Sequence, residues 1–212
     1  MSLQANISDW SAWAPGLTST SDWQKYFAQE KETDLELKPD VSELPPMFRR
    51  RLSSLNRMIF AAADGLEDKN VLNECPVVFA SRHGELNLSL KLINSIISRE
   101  TVSPAGFSMS VHNSAAGLIS IHHGNTSAAT SIAAGEASLK MGLIEAISQV
   151  QKFNRVLLIF ADEMMPEIYR NFNNSQKYPS CLLLTVAKKP GKHVIDTSGD
   201  CTFEGIVNSL IK

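Results

Sequence analysis

Apolar residues along this chain fall into two spacings. Gln4 to Trp13 mixes Ile7, Trp10 and Trp13 with polar positions and ends at Ala14-Pro15-Gly16, which predicts a first strand and a turn. Thr18 to Phe27 places Ser21-Asp22 ahead of Trp23, Tyr26 and Phe27, the pattern of a short capped helix. Glu30 to Pro46 is acidic and proline-bearing and reads as surface loop. After Pro45-Pro46, Phe48, Leu52, Leu55, Ile59 and Ala62-Ala63 recur at helical spacing as far as Gly65, predicting one amphipathic helix. Pro76 to Ser81 is a short apolar run, hence a buried strand. Arg82-His83-Gly84-Glu85 forms the turn after it, and Leu86 to Ile97 returns to helical spacing. A loop opens at Ser103-Pro104, and Ala115 to Ile121 reads as a short buried helix.

The most unusual stretch is Ala128 to Gln151. Small and β-branched residues lead through Gly135-Glu136 into a helix whose first turns are apolar or small almost all round: Ala137, Leu139, Met141, Gly142, Leu143 and Ile144. Such a helix is expected to be buried. Arg155 to Asp162 and Cys181 to Ala187 are continuous apolar strands. Between them Met164 to Tyr178 is irregular and rich in asparagine, with Asn171, Asn173 and Asn174. Lys188 to Lys192 is an exposed turn, and the last residues carry a small apolar cluster at Ile206, Val207, Leu210 and Ile211. Strands alternating with helices around apolar central strands predict an α/β layer fold with a covered sheet.

Composition narrows the class. A chain of 212 residues fits one domain, 43% hydrophobic and 20% charged, within the range of globular proteins. The net charge of −2 gives no electrostatic case for nucleic acid, and the basic cluster Arg49-Arg50-Arg51 is too small for a phosphate-tracking surface. Cys75, Cys181 and Cys201 are odd in number and far apart, so neither a disulfide framework nor a metal site is expected. The N-terminus lacks a basic stretch followed by an apolar run, and no apolar stretch approaches the ~18 residues of a membrane helix. A cytoplasmic chain without cofactors is the expectation.

A strand that feeds a helix through a glycine turn is how several α/β enzymes present a nucleophile. Here that position holds Glu136, and Gly135-Glu136-Ala137-Ser138 does not fit the hydrolase elbow. Dinucleotide and phosphate-loop fingerprints are missing. His122 and His123, being adjacent, are expected to point apart and make a poor metal pair. His83 with Glu85, and His112 beside Asn113, are expected to be structural, with His112 held by backbone hydrogen bonds. Asp162-Glu163 closes a strand and is expected to cap the next segment. As a structural residue Glu136 would meet free N–H groups at a helix start; as a functional one it would be a general base raised by desolvation. The sequence leaves both open.

These stretches together resemble the N-terminal half of the β-ketoacyl synthases, condensing enzymes of the thiolase fold. The residues that carry the resemblance are Ser103-Pro104, Asn113, Ala116-Gly117, Ser131 to Ser138, Val156 to Glu163 and Leu182 to Ala187. More narrowly, PPMFRRRLSSLNRM, VFASRHGE and FSMSVHNSAAGLISI resemble the short chain-length-factor-type ketosynthase partners of aryl polyene gene clusters. The resemblance implies a mixed sheet covered by helices around a buried central helix, with residues 1–190 as the ketosynthase-like domain and 191–212 as a tail.

It also implies that Glu136 stands where the family has its reactive cysteine, and a carboxylate cannot form the thioester that a thiolate does. None of the three cysteines is expected near that position, and the half that carries the family's catalytic histidines lies beyond the matched stretch. The implied role is a non-catalytic subunit that pairs with a full-length ketosynthase and meets the acyl carrier protein through that complex. Thr130, Ser131, Ile132, Ala133 and Ala134 would form the interface strand, and Gly106, Phe107 and Met109 the end of the acyl tunnel. Two alternatives stay open: a malonyl-carrier-protein decarboxylase using Glu136, and a stand-alone carrier-protein binding module. The latter would require half of a thiolase fold to be stable despite a large exposed apolar face.

Overall fold

The computed structural model describes residues 2–172 and 176–212. Asn173 and Asn174, within the segment expected to be irregular, lie outside them. In chain order the elements are β1 (Gln4–Trp13), α1 (Thr20–Phe27), α2 (Pro46–Arg49), α3 (Ser54–Asp64), α4 (Val71–Glu74), β2 (Val77–Ala80), α5 (Leu86–Ile97), α6 (Pro104–Ser110), α7 (Ser114–His123), β3 (Ala129–Ile132), α8 (Ser138–Gln149), β4 (Arg155–Asp162), β5 (Ser180–Ala187), β6 (His193–Asp196) and α9 (Phe203–Leu210).

The strands form one mixed sheet in the order β3-β2-β4-β5-β1-β6. β2 runs parallel to both β3 and β4, whereas β5 is antiparallel to β4 and β1, and β6 to β1. β4 and β5 are buried along nearly their whole length because helices cover both faces. Alternate residues separate the two cores. Val78, Ala80, Leu158, Phe160, Leu182 and Leu184 face α1, α8 and α9, while Val77, Phe79, Leu157, Ile159 and Leu183 face α3, α4 and α7.

α8 presses close to the sheet at Gly142, where a Cβ would meet Ala80 Cβ at 2.8 Å and Leu158 Cδ1 at 2.9 Å. Leu139, Leu143 and Ala146 fill the rest of this contact. Met141 and Ile144 are only half-buried. The central helix is therefore buried on one side in this chain, not all round, because no second layer lies outside it.

Two further expectations change. The single helix expected after Pro46 is two, α2 and α3, because Ser53 turns extended and its hydroxyl accepts from Asn56 N, starting a new helix. The apolar spacing continues across the break, since Leu52 and Leu55 are both buried. The loop expected after Ser103-Pro104 is helix α6, with Ser103 as N-cap and Pro104 in its first turn. The segment after residue 190 packs on this chain: β6 extends the sheet, and Ile206, Val207 and Leu210 of α9 enter the core.

α1, α8 and α9 thereby cover one face of the sheet. Exposed apolar surface lies elsewhere. α5 contains no buried residue, and Ile96, Ile97 and Phe107 are 62%, 73% and 62% exposed. α5 packs on α6, and α6 on α7.

Candidate functional site

β2, β3 and β4 point their carboxyl ends the same way, and β5 begins there, with Asp162 opposite Ser180. Ligands of open α/β sheets gather at such an edge. Three connections meet at it: the 81–85 turn after β2, the 3-10 turn Gly135–Ala137 after β3, and the segment after β4.

Glu136 lies in the second connection, and its side chain is exposed. The turn depends on Gly135, whose φ of +57° is a left-handed conformation that costs glycine little. Among the described residues the Glu136 carboxylate makes no hydrogen bond. Ser138 supports the helix start instead: its Oγ accepts from Ala134 N at 2.9 Å and donates to Gly135 O at 2.7 Å.

Glu136 borders an open cavity of about 340 Å³, shared with Arg82, Asp162, Tyr178, Cys201 and Glu204. Asp162 Oδ1 accepts from Ser81 Oγ at 2.9 Å and from Arg82 N at 2.8 Å, and Oδ2 lies 3.8 Å from Arg82 Nε. Asp162 thus braces the turn after β2 rather than capping the segment that follows it. Burial pushes its carboxyl up, opposed by those hydrogen bonds and by the Arg82 charge. Arg82 Nη1 is buried with no hydrogen-bond partner among the described residues. On the far wall Tyr178 donates to Glu204 Oε1 at 2.8 Å, which ties α9 to the sheet.

The thiols are poor nucleophiles here. Burial pushes Cys75, Cys181 and Cys201 up, away from the reactive thiolate. Cys75 and Cys181 are core residues, but Cys201, expected elsewhere, lines the Glu136 cavity, with its thiol turned to the carbonyls of Asp196 and Thr197. The folding of the tail across this edge puts it there, and no sequence spacing could have indicated it. The serines are committed as well, since Ser81 also accepts from Gly84 N at 2.8 Å. Edge, cavity and turn are present, but among the described residues no activated thiol or hydroxyl occupies them.

A family model describing the β-ketoacyl synthase N-terminal domain matches residues 21–203. The chain belongs to the β-ketoacyl synthase family. Its fold is the thiolase-like ketosynthase fold. A chain of the ketosynthase ApeO in complex with its chain length factor ApeC, from Xenorhabdus doucetiae, superposes with a TM-score of 0.77 at 30% identity, over 89% of this chain and 81% of that one. The ishigamide ketosynthase/chain length factor superposes with a TM-score of 0.70 at 20% identity, covering 88% of this chain and 62% of that chain. A β-ketoacyl synthase from Burkholderia phymatum STM815 does so at 0.64 and 9% identity, covering 88% and 59%. The last two likenesses show the fold alone, and the chain spans less than two thirds of each of those structures. No curated protein sequence matches the chain.

The ketosynthase-like residues singled out by sequence fall at two places. Thr130, Ser131 and Ile132 lie on β3, at one edge of the sheet with an outer side that pairs with no strand among the described residues. Ala133 and Ala134 continue past its end and are exposed. Gly106, Phe107 and Met109 lie on α6. The structure does not bring them to Glu136; they belong to the α5–α6 layer.

His112, His122 and His123 serve packing. His112 Nε2 lies 3.1 Å from Ser81 O, a backbone hydrogen bond of the expected kind. The rings of His122 and His123 do not point apart: their centroids are 4.8 Å apart, and Phe48 stacks on His122 at 4.5 Å. Helical residues one apart can meet in this way when an aromatic group gathers both. Among the described residues no group of three or more His, Cys, Asp or Glu side chains is arranged to hold a metal ion, and no helix is long and apolar enough to cross a membrane.

Proposed function

We propose that this chain is a non-catalytic, chain-length-factor-type subunit that pairs with a full-length, cysteine-bearing β-ketoacyl synthase and shapes its acyl tunnel. The setting proposed is the biosynthesis of aryl polyenes or similar fatty-acid-like chains, in the cytoplasm, with the acyl carrier protein engaged through the complex. The observation that carries the proposal is Glu136 itself: an exposed carboxylate, at the turn between β3 and α8 where the family places its thiol, with no activated nucleophile beside it among the described residues. A condensing enzyme must hold its growing chain as a thioester, and a carboxylate forms no stable one.

Two features support pairing. β3 leaves one side of its ladder open, and its small side chains allow close backbone approach. The α5–α6 layer shows apolar side chains that the chain itself does not cover, the property of a surface made for a partner. In this proposal Thr130, Ser131, Ile132, Ala133 and Ala134 meet the partner, and Gly106, Phe107 and Met109 close its tunnel. Residues 1–190 form the ketosynthase-like unit, and 191–212 seal its sheet. A decarboxylase built on Glu136 would need a desolvated base, whereas this side chain is exposed.

The test is co-expression with a candidate ketosynthase and analysis of products with and without this chain. The expected result is a stable complex whose product length shifts when Phe107 is enlarged or shrunk. Condensation of acyl- and malonyl-carrier substrates by this chain alone would overturn the proposal.

A further inference from the structure

Glu85 ends the turn after β2 and stands at the N-terminus of α5, and it is only 2% exposed. Its Oε1 accepts from Ser53 Oγ at 2.6 Å and from Asn56 Nδ2 at 2.7 Å. Its other oxygen, Oε2, is buried without a hydrogen-bond partner among the described residues. So is Oδ1 of Asn56, a residue with no exposed surface at all. An acid and an amide already joined by one hydrogen bond thus each leave an acceptor orphaned. Turning the amide over would only set its oxygen against Glu85 Oε1. An acid and an amide can close a ring of paired hydrogen bonds, here Asn56 Nδ2–H to Oε1 and Oε2–H to Asn56 Oδ1, so a proton on Oε2 would supply the donor that both orphans lack.

Among the described residues the surroundings offer no counter-ion. Arg82, in the same turn, is engaged with Asp162, and Arg57 on α3 donates to Arg49 O at 2.8 Å. His83 stands in the turn beside Arg82, and His112 packs against Gly84 and bonds Ser81 O. The charge that reaches Glu85 is the like charge of Glu163 at the end of β4.

We propose that Glu85 is a neutral carboxylic acid in the folded chain and that its proton latches α5 to α3, making the mooring of the α5–α6 layer sensitive to pH. Burial holds the Glu85 carboxyl up at about 7, so the latch opens near neutral pH. The layer has little else to hold it at this end. α5 buries no residue, and its other anchor is Asn87, whose Nδ2 donates to Glu163 Oε2 at 2.9 Å and to Met164 O at 3.0 Å. Burial pushes the Glu163 carboxyl up too, so ionising Glu85 strains both anchors. The latch holds whatever partner the chain takes.

Glu85→Gln is the informative variant, because glutamine offers the same acceptor and donor as the protonated acid. Hydrogen exchange of the full chain over residues 86–110 is compared at about pH 6 and about pH 8.5, corrected for intrinsic exchange rates. The wild-type layer should lose protection about tenfold or more at the higher pH, and the variant should stay within about twofold. Equal losses in both proteins, or a variant already unprotected at about pH 6, would overturn the proposal. Should the variant not fold, the carboxyl-carbon signals of the wild-type glutamates decide, with Glu163→Gln to assign its neighbour. A glutamate other than Glu163 titrating near 7 supports the latch, and none titrating above about pH 6 defeats it.

Discussion

Two helices of twelve residues, α8 and α5, look alike in sequence and end up in opposite situations. α8 carries a lysine, a glutamate and a glycine, yet it presses Leu139, Leu143 and Ala146 into the core. α5 has seven Leu and Ile residues among its twelve, more than α8, and buries none. Gly142 lets α8 come within contact of Ala80 and Leu158, so the sheet covers it. α5 is moored at its N-terminus by polar groups, Glu85 and Asn87, and otherwise leans on α6. An apolar stripe says that a helix will be covered; it does not say by what. In this chain the sheet covers one helix, and a partner is proposed to cover the other.

The contrast is sharpest for core truncation. Leu143→Ala should cost about 3 kcal/mol in chemical denaturation, because it empties a fully buried site against the sheet. Ile96→Ala in α5 should cost under about 0.5 kcal/mol in the same chain. Equal costs would erase the distinction between the two helices.

Next in size is the effect of pH. The folded Glu85 carboxyl sits at about 7, above the 4.5 of a free glutamate. The folded state therefore binds a proton more readily, and this stability is full below about 4.5 and lost as pH rises through about 7. Glu85 should contribute the equivalent of about 2–3 kcal/mol, an order-of-magnitude figure, to the fall in thermal stability over that interval, and Glu85→Gln should remove that share.

Replacing Ile96 and Ile97 together by serine should leave the chain folded and weaken its complex with a ketosynthase about tenfold, or about 1.4 kcal/mol, in a titration of the two proteins. A smaller, local effect belongs to Ser103→Ala. Loss of this N-cap should cost about 1 kcal/mol, felt as local exchange in α6 and not in the global midpoint.

Much of the fold is legible in the chain because the central strands are continuous apolar runs: Arg155–Asp162 begins and ends where the spacing predicts. Breaks hidden inside a continuing pattern are not legible. Leu52 and Leu55 keep helical spacing across the gap between α2 and α3, and only the cap signal of Ser53 marks it. α6 was concealed by its proline and glycine, though Ser103-Pro104 is itself a helix-start signal. At the candidate site the turn and Glu136 could be read from Gly135, but Cys201 and Tyr178 reach the cavity only by tertiary folding. The Glu85–Asn56 pair is equally invisible in sequence: twenty-nine positions separate two polar residues that only the fold of the turn after β2 against α3 unites.

The central claim is that this chain is half of a working pair and supplies no nucleophile to it. Native mass spectrometry of the chain co-expressed with a candidate ketosynthase, after incubation with acyl-loaded carrier protein, tests it most directly. The account predicts a heteromeric complex in which acyl mass is added to the ketosynthase alone. Acyl mass on this chain, or two proteins that never associate, would contradict it.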